Sequence, residues 1–156
     1  MKLSLFSDYS IRVLMFAALK GSPFRVDEVT SAYGISRNHL AKVVHRLAKL
    51  GYLETRRGRG GGILLARSAT EIRVGKLVRE TEAHQVIVEC FDPATNTCPI
   101  AGCCLLKGAL AQAVNAFYLT LDQYTLRQLV TGPQSVRMGL SLRTLPQPPL
   151  QRISAE

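Results

Sequence analysis

Apolar residues recur at helical spacing through the first fifty positions. Ile11, Leu14, Met15, Ala18 and Leu19 follow i, i+3, i+4, i+7, i+8 and so line one face of a helix. Ser7 or Asp8 is suited to cap its start, and Gly21-Ser22-Pro23 ends it. A second, shorter helix carries Val26, Val29 and Tyr33, with Asp27 and Glu28 favourably placed in its first turn. Gly34-Ile35-Ser36 reads as a tight turn. Ser36 then caps a third helix with Leu40, Val43, Val44 and Leu47 inward and Gly51 as its stop. Two helices joined by a short glycine-containing turn predict a helix-turn-helix.

The period then changes from helix to strand. Tyr52-Leu53-Glu54-Thr55 and Ile63-Leu64-Leu65 flank a glycine-rich tip, which predicts a β-hairpin. A third helix followed by a hairpin is the layout of a winged helix. Another helix is expected over 72–83 with Val74, Leu77 and Val78 inward, whereas 90–104 is broken by Pro93, Pro99 and Gly102. From Leu105 a long stripe runs through Leu106, Ala109, Leu110, Ala113, Val114, Phe117 and Leu121. It is too apolar for one small domain to cover, so a helix shared between two subunits is predicted, and a homodimer with it. Thr125 to Val130 suits a short final helix, and the proline-rich stretch after Gly132 suits a mobile tail. The fold class expected is mainly α. It comprises a winged helix-turn-helix domain with a β-hairpin wing (1–83), a cysteine-bearing loop (84–104), a dimerisation helix region (105–131) and a disordered tail (132–156).

Charge sharpens this picture. Residues 1–80 hold 15 Lys and Arg against 6 Asp and Glu, while residues 81–156 hold 5 against 5, so the whole excess of +9 lies in the winged-helix half. Such a face attracts a polyanion, and counterion release favours DNA. The outward side of the third helix carries Arg37, Asn38, His39, Lys42, His45, Arg46 and Lys49. Arg pairs with guanine and Asn with adenine, while Lys neutralises phosphate. Residues at the helix start reach the bases, so Arg37, Asn38 and His39 are the specificity candidates, with Lys42 and Arg46 behind them. Arg56, Arg57 and Arg59 at the glycine-rich tip suit phosphates or a narrow minor groove. The expected partner is a double-stranded operator with two half-sites. The glycine run lacks the Gly-Lys-Ser/Thr ending and strand-to-helix setting of a nucleotide loop.

No arrangement of Ser, His and Asp or of paired carboxylates suggests catalysis, and no enzyme activity is expected. Asp8 and Arg12 interrupt the approach to the apolar run Val13 to Leu19, which is too short to span a bilayer. No membrane association and a cytoplasmic location are therefore expected, in a reducing setting where cysteines need not pair.

All four cysteines, Cys90, Cys98, Cys103 and Cys104, fall within fifteen residues. The bunching suggests a metal or cluster site or a thiol redox switch. Zinc favours two tight Cys-x-x-Cys pairs, which are absent, and three thiolates can hold an iron–sulfur cluster if another group supplies the fourth ligand. Spacing alone does not separate iron from zinc.

Phe6-Ser7-Asp8-Tyr9, Ser36-Arg37-Asn38-His39, Arg57-Gly58-Arg59-Gly60-Gly61-Gly62 and Cys98-Pro99-Ile100-Ala101-Gly102-Cys103-Cys104-Leu105-Leu106-Lys107 resemble the IscR/NsrR-type family of iron–sulfur winged-helix regulators, in particular its nitric-oxide-sensing repressors. The resemblance spans roughly residues 1–130. It implies an iron–sulfur cluster, 4Fe-4S or alternatively 2Fe-2S, on Cys90, Cys98 and Cys104, with Cys103 outside the set. In one branch a histidine three residues after the last cysteine completes the site, and here that position is Lys107. In the other branch an N-terminal aspartate of the partner subunit serves, and Asp8 stands at that position. Asp8 can equally cap the first helix or pair with Arg12 at i+4. The two roles together suggest a switch between Asp8 as ligand and Asp8 as the partner of Arg12. The resemblance implies a repressor released by nitric oxide. The alternative is a winged-helix regulator that senses iron, redox state, thiol oxidation or zinc through the same cysteines.

Overall fold

The computed structural model describes residues 2–82, 86–133 and 139. Its order is α1 (Leu5–Lys20), α2 (Val26–Tyr33), α3 (Arg37–Lys49), β1 (Leu53–Arg56), β2 (Gly62–Leu65), α4 (Val74–Thr81), α5 (Leu105–Asp122) and α6 (Leu126–Leu129). This is the mainly helical winged-helix class expected from the pattern. The predicted tail lies outside the described residues, Gly132, Pro133 and Gly139 apart.

Helix α1 begins earlier than the sequence suggests. Its N-cap is Ser4, not Ser7 or Asp8, and the Ser4 hydroxyl accepts from the Ser7 amide at 3.1 Å. The cap is fixed from a distance. Glu82 Oε1 accepts from both the Ser4 amide and the Ser4 hydroxyl at 2.8 Å. A carboxylate at a helix N-terminus is also favoured by the aligned peptide dipoles. The buried face of α1 is rotated from the expected stripe: Ser7, Ser10, Val13, Leu14 and Ala17 are buried, and Ile11, Met15, Ala18 and Leu19 are only partly so. Two serines can sit inside because their hydroxyls are satisfied there. Ser7 donates to Thr81 Oγ1 and Ser10 to the Phe6 carbonyl, both at 2.7 Å. Being small, they allow α1 to pack against its neighbours α3, α4, α6 and β2.

Helices α2 and α3 follow the sequence signals closely. Gly34 ends α2 at φ +66°, a conformation that glycine adopts at little cost, and its amide bonds back to the Thr30 carbonyl. Ser36 caps α3, whose buried residues are Leu40, Val43, Val44 and Leu47. The hairpin is antiparallel with Leu53 opposite Leu65 and Arg56 opposite Gly62. Phe24 adds a bridge to Ile63, with N–H to carbonyl distances of 2.9 and 2.8 Å, and so pins the wing to the body.

One core joins these elements, with Val13, Leu14, Phe24, Leu40, Leu47, Tyr52 and Leu77 among its buried members. Leu126 from α6 belongs to the same core, so the chain returns to the winged helix well beyond residue 83. The return is hydrogen-bonded: Leu126 N–H donates to the Ile72 carbonyl and Val74 N–H to the Tyr124 carbonyl. Thr125 and Gln128 form the capping box that starts α6.

Helix α5 differs from the rest in having no buried residue. Leu105 is 90% exposed and Leu106 64%. Its C-terminal end is anchored to α4. Arg79 on α4 forks onto Asp122, with one N–O distance of 2.9 Å, and stacks on Tyr118 with its guanidinium 4.8 Å from the ring centre. The Arg79 bond holds the Asp122 carboxyl below its ordinary pKa. Gly75 lets α4 and α5 come this close. A Cβ there would meet the Tyr118 carbonyl oxygen at 2.7 Å and the Asp122 carboxylate at still shorter range. Gly75→Ala is therefore expected to cost about 1–3 kcal/mol through overpacking that backbone cannot relieve. Thermal unfolding checks this, and a melting temperature equal to that of the unsubstituted chain would contradict the described contact.

Candidate nucleic-acid interface and cysteine segment

Helix α3 presents its basic side to solvent because its apolar side is committed to the core. Arg37, Asn38, His39, Lys42, His45, Arg46 and Lys49 are all exposed. Arg37 pairs with Asp27 at 3.0 Å, but both side chains are about two-thirds exposed, at 72% and 66%. Such a surface pair contributes little and can be exchanged for a nucleic-acid contact. His39 lies beside Tyr9 of α1, with ring centres 6.2 Å apart. The hairpin places Arg56 at the end of β1, paired with Glu54 at 2.8 Å, and Arg57 and Arg59 on the exposed turn beyond it. The specificity candidates and the wing arginines thus come from consecutive elements, α3 and the β1–β2 turn.

Several residues that position this surface do not stand out in the sequence. Arg67 donates from Nε to the Gly51 carbonyl at 2.8 Å and from Nη2 to the Leu50 carbonyl at 3.0 Å. It thus satisfies carbonyls at the C-terminal end of α3, where a cation is favoured. The same guanidinium stacks 4.7 Å from the centre of the buried Tyr52 ring. Tyr52 in turn donates to Glu80 Oε2 on α4 at 2.6 Å. Burial, and then the Glu80 carboxylate, raise the Tyr52 hydroxyl above its ordinary pKa, so it stays a proton donor in this bond. Arg67 counts towards the basic excess in the sequence, yet its role here is internal. An apolar pocket between the start of α1 and α3 is lined by Leu5, Phe6, Tyr9, His39, Lys42 and Val43.

Asp8 lies in the first turn of α1 and pairs with Arg12: Oδ2 is 2.9 Å from Nη2 and Oδ1 accepts from Nε at 3.1 Å. The local partner foreseen for Asp8 is therefore the one it has in the single chain.

The cysteines lie on a segment in which no residue from 86 to 104 is buried. Cys90 sits in a 3-10 turn, Glu89–Phe91. Cys98 follows a turn in which its amide donates to Asn96 Oδ1 at 3.1 Å, and Cys104 is the N-cap of α5. All four thiols are free; Cys90, Cys98 and Cys104 are partly covered, while Cys103 is exposed and its Sγ reaches the Ile100 carbonyl at 3.6 Å. The donor set, three accessible thiols outside the core, fits a soft transition-metal group. Among the described residues, however, no three His, Cys, Asp or Glu side chains gather at one point. The structure thus brings the candidate DNA-binding residues onto adjoining elements, but among the described residues it does not bring the cysteines and Asp8 together. No helix among the described residues is long and apolar enough to cross a membrane.

Comparison with known proteins agrees with this architecture. The family model Rrf2, described as an iron-dependent transcriptional regulator, matches residues 3–132. The HTH-type transcriptional regulator NsrR of Bacillus subtilis is 45% identical over 145 residues, 92% of this chain and 99% of that protein. NsrR of Shouchella clausii is 44% identical over 149 residues, 94% of this chain and 100% of that protein. Among solved structures, oxidized Staphylococcus aureus CymR has a TM-score of 0.66 at 24% identity, covering 85% of this chain and 98% of its own. IscR of T. potens has a TM-score of 0.65 at 21% identity, covering 83% of this chain and 86% of its own. With a winged helix, an exposed basic third helix and a family match across most of its length, the chain belongs to the Rrf2 family and is a DNA-binding transcriptional regulator rather than an enzyme.

Proposed function

We propose that this regulator is a homodimeric repressor whose hold on operator DNA depends on an iron–sulfur cluster, and that nitric oxide is its signal. In this reading Cys90, Cys98 and Cys104 hold the cluster, 4Fe-4S as the resemblance implies, and Asp8 of a second copy completes the ligand set. The observation that carries it is the cysteine segment: free thiols at the head of a helix whose leucines are left in water. A second copy packed on α5 would cover those leucines and bring another Asp8 within the same assembly. In this reading Asp8 is the one ligand that a single chain does not supply to its own cysteines. When bound, the cluster supplies iron centres that react with nitric oxide.

The chain's own contribution is to make the position of α1 depend on where Asp8 is engaged. In the single chain the carboxylate is held by Arg12. When it serves a second copy instead, that ion pair opens and the first turn of α1 is drawn towards the cysteine segment. Tyr9, the next residue, lies against His39, and α1 packs on α3, so a shift of α1 reaches the start of the recognition helix. A coupling of about 1–3 kcal/mol changes operator affinity roughly 5- to 150-fold, which one charged contact made or lost can supply.

On the DNA side, Arg37, Asn38 and His39 read bases, Lys42 and Arg46 neutralise phosphates, and Arg56, Arg57 and Arg59 track the backbone or minor groove. At fixed salt, Arg37→Ala is expected to lose about 1–3 kcal/mol on the operator and to relax base preference locally, whereas Arg57→Ala weakens all duplexes alike. Equal losses on operator and random DNA for Arg37→Ala, read by fluorescence anisotropy, would remove it from the base-reading set. Asp8→Ala is expected to destabilise the cluster, and with it to weaken operator binding and blunt the response to nitric oxide. A variant that keeps both the cluster and the full response, followed by visible absorption and anisotropy together, would sink the switch.

A further inference from the structure

Every turn of the cysteine segment is held by polar bonds, because none of its residues is buried. The bond that spans most of it runs from Glu89 to Thr97. Glu89 Oε1 accepts from the Thr97 amide at 2.6 Å and from the Thr97 hydroxyl at 2.7 Å. Between them Asp92 organises the bend: its side chain accepts from the Ala94 amide at 3.0 Å and the Thr95 hydroxyl at 2.9 Å, and its carbonyl accepts from the Asn96 amide at 3.0 Å. The loop is thus closed at its two ends, and the residue after each end is a cysteine, Cys90 and Cys98.

We propose that Glu89 and Thr97 are positioning residues that clasp the loop shut and hold the Cys90 and Cys98 thiols as a pair. This rests on the reading that both cysteines are ligands of the cluster. Without the clasp the two thiols sit at opposite ends of a chain segment with no core contacts, and bringing them together costs the entropy of loop closure at the moment of binding. With it, that ordering is present beforehand. A carboxylate accepting two bonds at one oxygen is suited to this, since bonds to an ionised acceptor are the stronger kind. Cys104 stands outside the closure, at the head of α5, and joins the pair from a separate element. The clasp thus divides the ligand set into two thiols arranged locally and others brought in by assembly.

The test uses the full chain in two forms. In a cluster-free Cys103→Ser/Cys104→Ser background only Cys90 and Cys98 remain, and dibromobimane, which fluoresces when it bridges two thiols, reports their proximity. Glu89→Ala is expected to slow bridging roughly tenfold, while Glu89→Gln, whose amide oxygen can accept the same two bonds, stays near the reference. The second form keeps all four cysteines and is loaded anaerobically with iron and sulfide. Here Glu89→Ala is expected to lose its visible absorption to a chelator roughly tenfold faster, in line with other residues that support metal ligands. Glu89 is exposed, so the melting temperature should not move in either form. Bridging and chelator rates in Glu89→Ala equal to those of the reference would overturn the clasp. If the unsubstituted chain takes up no iron and sulfide, the cluster reading fails, and the bridging experiment still decides whether Glu89 pairs the thiols.

Discussion

Helix α1 ties the parts of the winged helix to one another. The helix touches α3, α4, α6 and β2, and its buried face carries Ser7 and Ser10 where larger side chains would hold the neighbours apart. Its first turn is tied to the end of α4 by Glu82, a carboxylate only 7% exposed whose Oε1 accepts both Ser4 bonds. The other oxygen of Glu82 is buried without a hydrogen-bond partner among the described residues. Burying that oxygen carries a desolvation cost, offset by the two bonds at Oε1. The start of α1 is thereby fixed against the element that leads into the cysteine segment.

This constraint gives the proposed sensing reaction a route to DNA. Asp8 is one turn beyond the Glu82 contact, Tyr9 follows it, and Tyr9 lies beside His39 on the recognition helix. At its other end α3 is held by Arg67, Tyr52 and Glu80, which link its last carbonyls to α4. The third helix thus touches α1 near its start and is linked to α4 at its end. Helix α5 is attached to α4 through Gly75, Arg79 and Asp122, and its first leucines stay exposed in the single chain.

Local signals made much of this fold legible in the sequence. Gly34 and Ser36 mark the turn before α3, the strand period and glycines mark the wing, and the apolar spacing marks α4 and α5. The sequence failed where a distant residue decides. Ser4 caps α1 because Glu82 reaches it across 78 residues of chain, and no local pattern reveals that. Ser7 and Ser10 look like surface residues until their hydroxyls find Thr81 and the Phe6 carbonyl. Arg67 reads as one more cation of a basic face, although it terminates the recognition helix. The cysteines are conspicuous by their bunching, but they lie on a segment with no buried residue, and among the described residues no three metal-ligating side chains gather at one point.

The central claim, that metal on these cysteines governs DNA binding, is tested most directly on anaerobically purified protein. Its visible spectrum is followed during titration with nitric oxide while anisotropy tracks binding to an operator selected from random duplexes, at constant salt. The account predicts a brown protein whose colour bleaches in step with loss of the operator. A colourless protein that binds the operator, and stays colourless after iron and sulfide are supplied, would contradict it.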